Sequence, residues 1–308
     1  MKSRLFIFLG VLFLFGGQVC AQSYQTLWKE VEALEKKDYP ESAIKKTDAI
    51  YRKALGERNL PQMMRACLTL MKQRDRISPD SFFVDIQRME HWVADSSLSV
   101  CDEAVLHSLL GEVYTTAAQR GVQAHRQLDE LPEDMAEWSS VMYQQRAYQH
   151  YMESVVELEK LRECTIKEYA PITYYGEWSG YYNHDLMHLI GRRAVFGLNS
   201  LARLLQNYKQ TSWNDIPLDW NAFVTYPLQP KSDYDCVSAI MRLFKQMQQM
   251  LSGVSARDAW LLMNQNRMNI MPSYAVDVEE HIRVLEALSK EFEDCETNAV
   301  TLYDLATA

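Results

Sequence analysis

Residues 181–208 read YYNHDLMHLIGRRAVFGLNSLARLLQNY and form the longest clean amphipathic stretch of the chain. Its apolar residues recur at steps of three and four, the spacing of one helix face. They are Leu186, Ile190, Ala194, Gly197, Leu201, Leu204 and Tyr208. Asn183 is a favourable N-cap, and Asp185 places a negative charge where the helix dipole favours it. The stretch therefore predicts a long helix over 183–208 with one buried face.

The start of this stretch carries the one pattern in the chain that resembles enzyme chemistry. The segment HDLMH (184–188) has the histidine spacing of the zinc signature H-E-x-x-H, with Asp in place of the catalytic Glu. Ala194 occupies the position of a third ligand, and no Glu occurs from 179 to 277. His184 and His188 are therefore weak metal candidates only. We expect a structural, hydrogen-bonding histidine pair, with no catalytic residue and no cofactor.

A helical wheel places this histidine pair nearly opposite the apolar stripe. The pair would then face solvent, a neighbouring helix or the aromatic segment just before it. The other five histidines, at 91, 107, 125, 150 and 281, are scattered and predict no cluster. Nucleophile-elbow, P-loop and dinucleotide-binding glycine motifs are absent from the sequence, so nothing in it indicates an enzyme.

Helical periodicity continues on both sides of the central stretch. Glycine and proline are scarce, and no segment alternates convincingly as a strand. Helices are predicted at roughly 24–37, 41–57, 61–75, 80–95, 101–119, 132–163, 183–208, 234–252, 256–268 and 277–305. Residues 38–54 resemble the second helix of a tetratricopeptide-type repeat, without a sustained period. We predict an all-α domain over 22–308 of stacked antiparallel helical hairpins, a degenerate TPR-like or α-solenoid array, and leave open a subdivision near 165–182.

The N-terminus has the features of a secretory signal peptide over residues 1–21. Two basic residues precede the apolar run 5–15, and a small-residue site predicts cleavage between Ala21 and Gln22. Cys20 leaves a lipoprotein as the alternative. The apolar run is shorter than the roughly 20 residues that span a bilayer. The chain is thus expected to be exported to the periplasm, the cell envelope or the medium, without a transmembrane span after processing.

Charge and cysteine content narrow the classes of partner. Removal of residues 1–21 leaves 30 basic and 41 acidic residues, a net charge of −11, which argues against nucleic-acid binding. The mature chain keeps five widely spaced cysteines. These cysteines could form one or two disulfides, but we favour buried thiols in helix seams.

Two aromatic-rich segments, 172–183 and 211–230, are interpreted as ordered flaps over helix ends, with binding surfaces as the alternative.

Several motifs resemble the N-terminal helical region of bacterial alpha-2-macroglobulin-family proteins. In order along the chain they are SY (23–24) to WK (28–29) with EKKD (35–38), NLPQM (59–63), SPDSF (78–82), LHSLL (106–110), and YYNHD (181–185) with HL (188–189). The resemblance spans nearly the whole mature chain. It implies an exported member of a protease-inhibitor family whose traps carry β-sandwich domains, a bait segment and often a Cys-x-Glu-Gln thioester. None of those parts is recognisable here.

The resemblance therefore implies a non-catalytic helical scaffold or protein-interaction module, either a piece of a longer protein or a short relative. Its partner would be another protein or the downstream domains of a longer chain. An independent periplasmic or surface TPR-like binding protein is the alternative. A zinc-dependent hydrolase acting through HDLMH is the remote third hypothesis.

Overall fold

The computed structural model describes residues 23–78, 81–95, 97–120, 132–174, 176, 178–182, 184–251 and 256–308. Throughout these residues the chain is helical, with short 3-10 turns and no β-strand; a single isolated bridge joins Thr165 and Asp185. The all-α class is confirmed. The predicted signal peptide and its cleavage site at Ala21 and Gln22 lie outside the described residues.

Twelve α-helices are present in the described ranges. They are α1 (Tyr24–Lys36), α2 (Pro40–Gly56), α3 (Leu60–Ile77), α4 (Phe82–Val93), α5 (Val100–Ala117), α6 (Ser140–Glu153), α7 (Leu186–Ala202), α8 (Trp220–Thr225), α9 (Cys236–Met250), α10 (Arg257–Asn269), α11 (Val278–Glu291) and α12 (Asn298–Thr307). Each of the first six packs against the next, while α7 contacts α5, α6 and α9. The chain is an array of neighbouring helices; a TPR-like arrangement stays a prediction.

The predicted helix over 183–208 is too long at both ends. It begins at Leu186, where the Asp185 carboxylate caps it; the predicted cap Asn183 lies outside the described residues. It ends at Ala202, after which the chain turns and the Tyr208 ring packs edge-on against Tyr234. Side-chain packing outside the helix thus overrides the continuing apolar stripe.

Two other predictions differ from the structure, and one helix was not predicted. The predicted helix 132–163 is α-helical only in α6, with 3-10 turns on either side. The predicted helix 277–305 is two helices, because the linker is fixed by Thr297, which donates from its backbone and hydroxyl to Asp258. The short α8, capped by Asp219, was not predicted.

Within the described residues, every helix is too short or too polar to span a bilayer.

Two of the five mature cysteines form a disulfide that ties the start of α5 to the segment before α7. Cys101 and Cys164 are 63 residues apart in sequence, with Cα atoms 6.3 Å apart. The expectation of buried thiols is wrong for this pair. Cys67 and Cys236 are buried free thiols, and Cys295 is a half-buried one. Burial, with a contribution from the nearby Asp85 charge, raises the pKa of Cys67 to about 12.

The buried ring of Tyr151 on α6 packs against both α5 and α7. Both neighbouring helices present a glycine to this ring. An added Cβ would lie 2.7 Å from the ring at Gly111 and would overlap it at Gly197. Tyr151 is buried and its ring is stiff, so it cannot move aside. The close approach of three helices therefore depends on two glycines.

We expect Gly197→Ala to lower the free energy of unfolding by about 1–3 kcal/mol, because overpacking outweighs the roughly 1 kcal/mol gain in helix propensity. Urea denaturation followed by circular dichroism measures the change. Gly56→Ala is the matched control, since no atom lies within 4 Å of its added Cβ. That variant should be neutral or slightly stabilised. Equal effects of the two substitutions would contradict the proposed packing.

Candidate functional site

The HDLMH segment lies where the chain turns into α7. His184 precedes the helix, is exposed and has a positive φ of 54°. Its carbonyl accepts from Ile166 N–H at 2.9 Å, and Leu186 N–H donates to the Cys164 carbonyl at 2.9 Å. These bonds dock the segment antiparallel to residues 164–166, beside the disulfide.

This geometry separates the two candidate metal ligands. His184 lies outside the helix, so it does not share a helix face with His188 one turn away. The Asp185 carboxylate accepts from the backbone N–H of His188 at 3.1 Å and thus acts as a helix cap. Ala194 is fully buried in the core. The helical spacing that a zinc-protease signature needs is not formed, and no cluster of three His, Cys, Asp or Glu side chains suited to a metal occurs in the described part of the chain.

His188 is held by stacking. Its ring lies parallel to that of Tyr182, with 3.3 Å between centroids, so of the three predicted surroundings it takes the aromatic segment. The side chain is only 6 % exposed, and its Nδ1 has no hydrogen-bond partner among the described residues. Burial, reinforced by the charge of Arg192, lowers the pKa of His188 to about 3. The ring is therefore neutral near pH 7.

A cavity of about 330 Å³ lies beside this histidine, between α5, α7 and the segment 166–179. We call it the His188 cavity. Most of its wall is apolar and aromatic: Val105, Leu109, Ile172, Trp178, Leu189 and Phe196. The described residues from 172 to 179 of the segment interpreted as a flap thus form one wall of the cavity, although Tyr174 is 88 % exposed.

Two arginines of α7 border the His188 cavity and differ in their partners. Arg193 is satisfied, since its Nε donates to Ser108 Oγ at 2.9 Å and its guanidinium pairs with Glu112. Arg192 is half-buried and lies 5.3 Å from the centroid of the Phe196 ring. It has no carboxylate partner within the described chain. The cavity therefore has one unpaired positive charge at its wall.

A larger groove of about 990 Å³ follows the C-terminal half of α7 and reaches α9, the end of α10 and residues 270–274. We call it the α7 groove. Aromatic side chains line it, among them Phe196 and Tyr274, which are 53 % and 77 % exposed, and the half-buried Trp213. Its only charged lining residues are Arg192 and Arg203. Arg192 and Phe196 also line the His188 cavity, so the two sites adjoin.

The polar lining of the α7 groove consists mainly of side-chain amides. Three of them, Asn199, Asn214 and Asn266, make no side-chain hydrogen bond to the described residues. An amide offers both donors and acceptors, the same groups as a peptide backbone. Residues 192–206 of the groove belong to the central stretch 181–208, and residues 211–214 belong to the aromatic-rich segment 211–230. Tyr274 and Asn266 carry no local signal, because only the fold brings them to α7.

A second polar cluster lies in the core, where the sequence predicts none. His107 and His150, 43 residues apart, place their Nδ1 atoms 2.8 Å from each other. His150 Nε2 is 3.0 Å from Glu90 Oε1, which also accepts from the Tyr114 hydroxyl at 2.6 Å. Arg146 pairs with the same carboxylate. Packing of α4, α5 and α6 creates this network, which spacing along the chain cannot indicate.

Comparison of the chain with protein-family models, with curated proteins and with solved structures found no match. The resemblance to the alpha-2-macroglobulin family therefore rests on the sequence motifs alone. Of the surfaces described, the α7 groove and the His188 cavity beside it have the shape and chemistry of binding sites.

Proposed function

We propose that the chain is a non-catalytic helical module of an exported protein and that it binds a protein partner in the α7 groove. The observation that carries this proposal is the groove itself, with its exposed aromatic rings and unpaired amides. Exposed Tyr and Trp side chains are common in protein-binding hot spots. Membership of the alpha-2-macroglobulin family, implied by the sequence motifs, is part of the proposal and is consistent with a scaffolding role.

The chemistry of the groove favours an extended segment with acidic side chains as the partner. The only two charges along it are arginines, although the whole chain has a net charge of −9. Charge complementarity favours an acidic partner and speeds its association. The amides can pair with the backbone of an extended peptide, and the aromatic rings can cover its apolar side chains.

Tyr274→Asp is expected to reduce the affinity for such a peptide at least about tenfold, since it removes an aromatic contact and adds a charge that repels an acidic segment. A displayed random-peptide library is first selected on the wild-type protein. The affinities of the enriched sequences are then measured by fluorescence anisotropy.

Tyr303→Asp is the matched control, because Tyr303 is 69 % exposed and does not line the α7 groove. That variant should bind as the wild type does. Enrichment of acidic, aromatic-containing peptides that only Tyr274→Asp rejects would support the proposal. Peptides that bind both variants equally, or no enrichment at all, would overturn it.

A further inference from the structure

We propose that the His188 cavity is a binding site for a small apolar carboxylate, whose apolar body fills the cavity while its carboxylate pairs with Arg192. The two sites share Arg192 and Phe196, but this inference does not require the proposed function, because small carboxylates are tested without a partner in the α7 groove.

The size and lining of the cavity define the apolar body. Ligand pockets range from about 300 to 1,000 Å³, so a cavity of about 330 Å³ admits a small molecule. The helices α5 and α7 contribute aliphatic side chains and the Phe196 ring, and Trp178 adds a second ring. A saturated chain or a single ring matches these walls.

Charge defines the other end of the ligand. Arg193 already has Glu112 as its partner, whereas Arg192 has none in the described chain and borders the cavity. A carboxylate there would gain a charge-assisted hydrogen bond in a partly dry environment. An ammonium group would instead be repelled by the arginine.

His188 adds a neutral aromatic ring to the cavity wall. It lines the cavity, more than nine-tenths of it is buried, and its Nδ1 lacks a partner, which is costly for a buried polar atom. The neutral ring carries no charge that would compete with Arg192 for an anion, so the arginine selects the carboxylate.

Two sources supply this chemistry, a free acid and the C-terminal residue of a protein. The probes for the first are octanoate and, as the uncharged match, octanol. The probes for the second are two otherwise identical short peptides ending in phenylalanine, one with a free carboxylate and one amidated. Isothermal titration calorimetry on the full chain measures all four. Binding of only the carboxylate peptide would assign the site to a protein C-terminus.

We expect at least one of the two carboxylates to bind with a Kd below about 1 mM and its uncharged match at least about tenfold more weakly. Arg192→Gln should remove this preference and leave octanol binding unchanged. Arg203→Gln, an exposed arginine outside the cavity, is the control and should change nothing. Leu189→Trp, which fills the cavity without altering charge, should abolish binding of both octanoate and octanol.

Circular dichroism and thermal melting verify that each variant is folded, and Arg192 is exposed enough for its variant to fold. Failure of both carboxylates to saturate, equal affinity for the carboxylate and its uncharged match, or an Arg192→Gln protein that still prefers the carboxylate would each overturn the inference. These outcomes concern only the His188 cavity. The proposed function is tested by peptides whose binding depends on Tyr274, so either proposal can fail without the other.

Discussion

Asp235→Ala is expected to lower the free energy of unfolding by about 3–5 kcal/mol, since it leaves several buried donors without an acceptor. Asp235 is fully buried and caps α9. One of its oxygens accepts from the backbone N–H groups of Thr211 and Ser238, both at 3.0 Å. The other accepts from the Thr211 hydroxyl at 2.6 Å and from Lys231 N–H at 2.8 Å. Urea denaturation measures the loss.

Asp277→Ala is the matched control for this prediction. Asp277 caps α11 and accepts from Glu280 N–H at 2.8 Å, but the site is exposed. Its loss should cost only about 1 kcal/mol, the usual contribution of a helix cap, because water can replace the carboxylate. Equal costs for the two caps would show that Asp235 does nothing beyond capping α9.

The same carboxylate also fixes one wall of the α7 groove, because Thr211 lines it. Hydrogen exchange of residues 206–214 should therefore accelerate in Asp235→Ala. Since α9 would remain packed against α7, the faster exchange should be greatest in that segment.

Local sequence signals account for most of the helices. The first five are predicted to within about three residues at each end from their helical periodicity, and the structure adds the caps Asn59 and Ser99 at the starts of α3 and α5. The start of α7 shows the limit of such signals. Asp185 was expected in the first turn but caps the helix, and the backbone bond from Leu186 to Cys164 fixes the chain at this point. That bond joins segments whose proximity the sequence does not encode locally.

The candidate sites were harder to predict, for the same reason. The HDLMH segment drew attention to His188, but its significance comes from Tyr182, Arg192 and the wall supplied by α5. The α7 groove combines segments up to about 80 residues apart, as from Arg192 to Tyr274. The His107–His150 contact likewise depends on how α5 packs against α6.

The core network leads to the second large prediction. Burial alone would raise the pKa of Glu90, but hydrogen bonds from His150 and Tyr114, with the charges of His150 and Arg146, outweigh it and lower that pKa to about 2. An ionised Glu90 can only accept, so His150 Nε2 donates to it. Burial, together with the charge of His150, lowers the pKa of His107 to about 4.

Glu90→Ala should lower the free energy of unfolding at pH 7 by about 3–5 kcal/mol, because a half-buried Arg146 and a buried His150 lose their acceptor. Tyr114→Phe should cost only about 1 kcal/mol, since the carboxylate keeps its other partners. Glu112→Ala is the control for loss of an exposed ion pair, with an expected cost of no more than about 1 kcal/mol. A Glu90 variant no less stable than Glu112→Ala would refute the role given to the network.

The pH dependence of this cost has a definite sign. A carboxylate whose pKa is about 2 in the folded protein, against 4.5 as the ordinary value, stabilises the fold above pH 4.5 and loses that contribution as the pH falls toward 2. The difference in the free energy of unfolding between the wild type and Glu90→Ala should therefore be constant from pH 7 to about 5 and shrink below pH 5.

His107 affects stability at higher pH than Glu90 does. Its lowered pKa favours the neutral ring in the folded protein, so protonation of this histidine in the unfolded chain destabilises the fold as the pH falls from 6.5 to about 4. Urea midpoints of the wild type, Glu90→Ala and His107→Gln between pH 3 and 7 separate the contributions of the two groups. If the difference in stability between the wild type and Glu90→Ala widened on acidification, it would contradict the ionised, hydrogen-bonded state of Glu90.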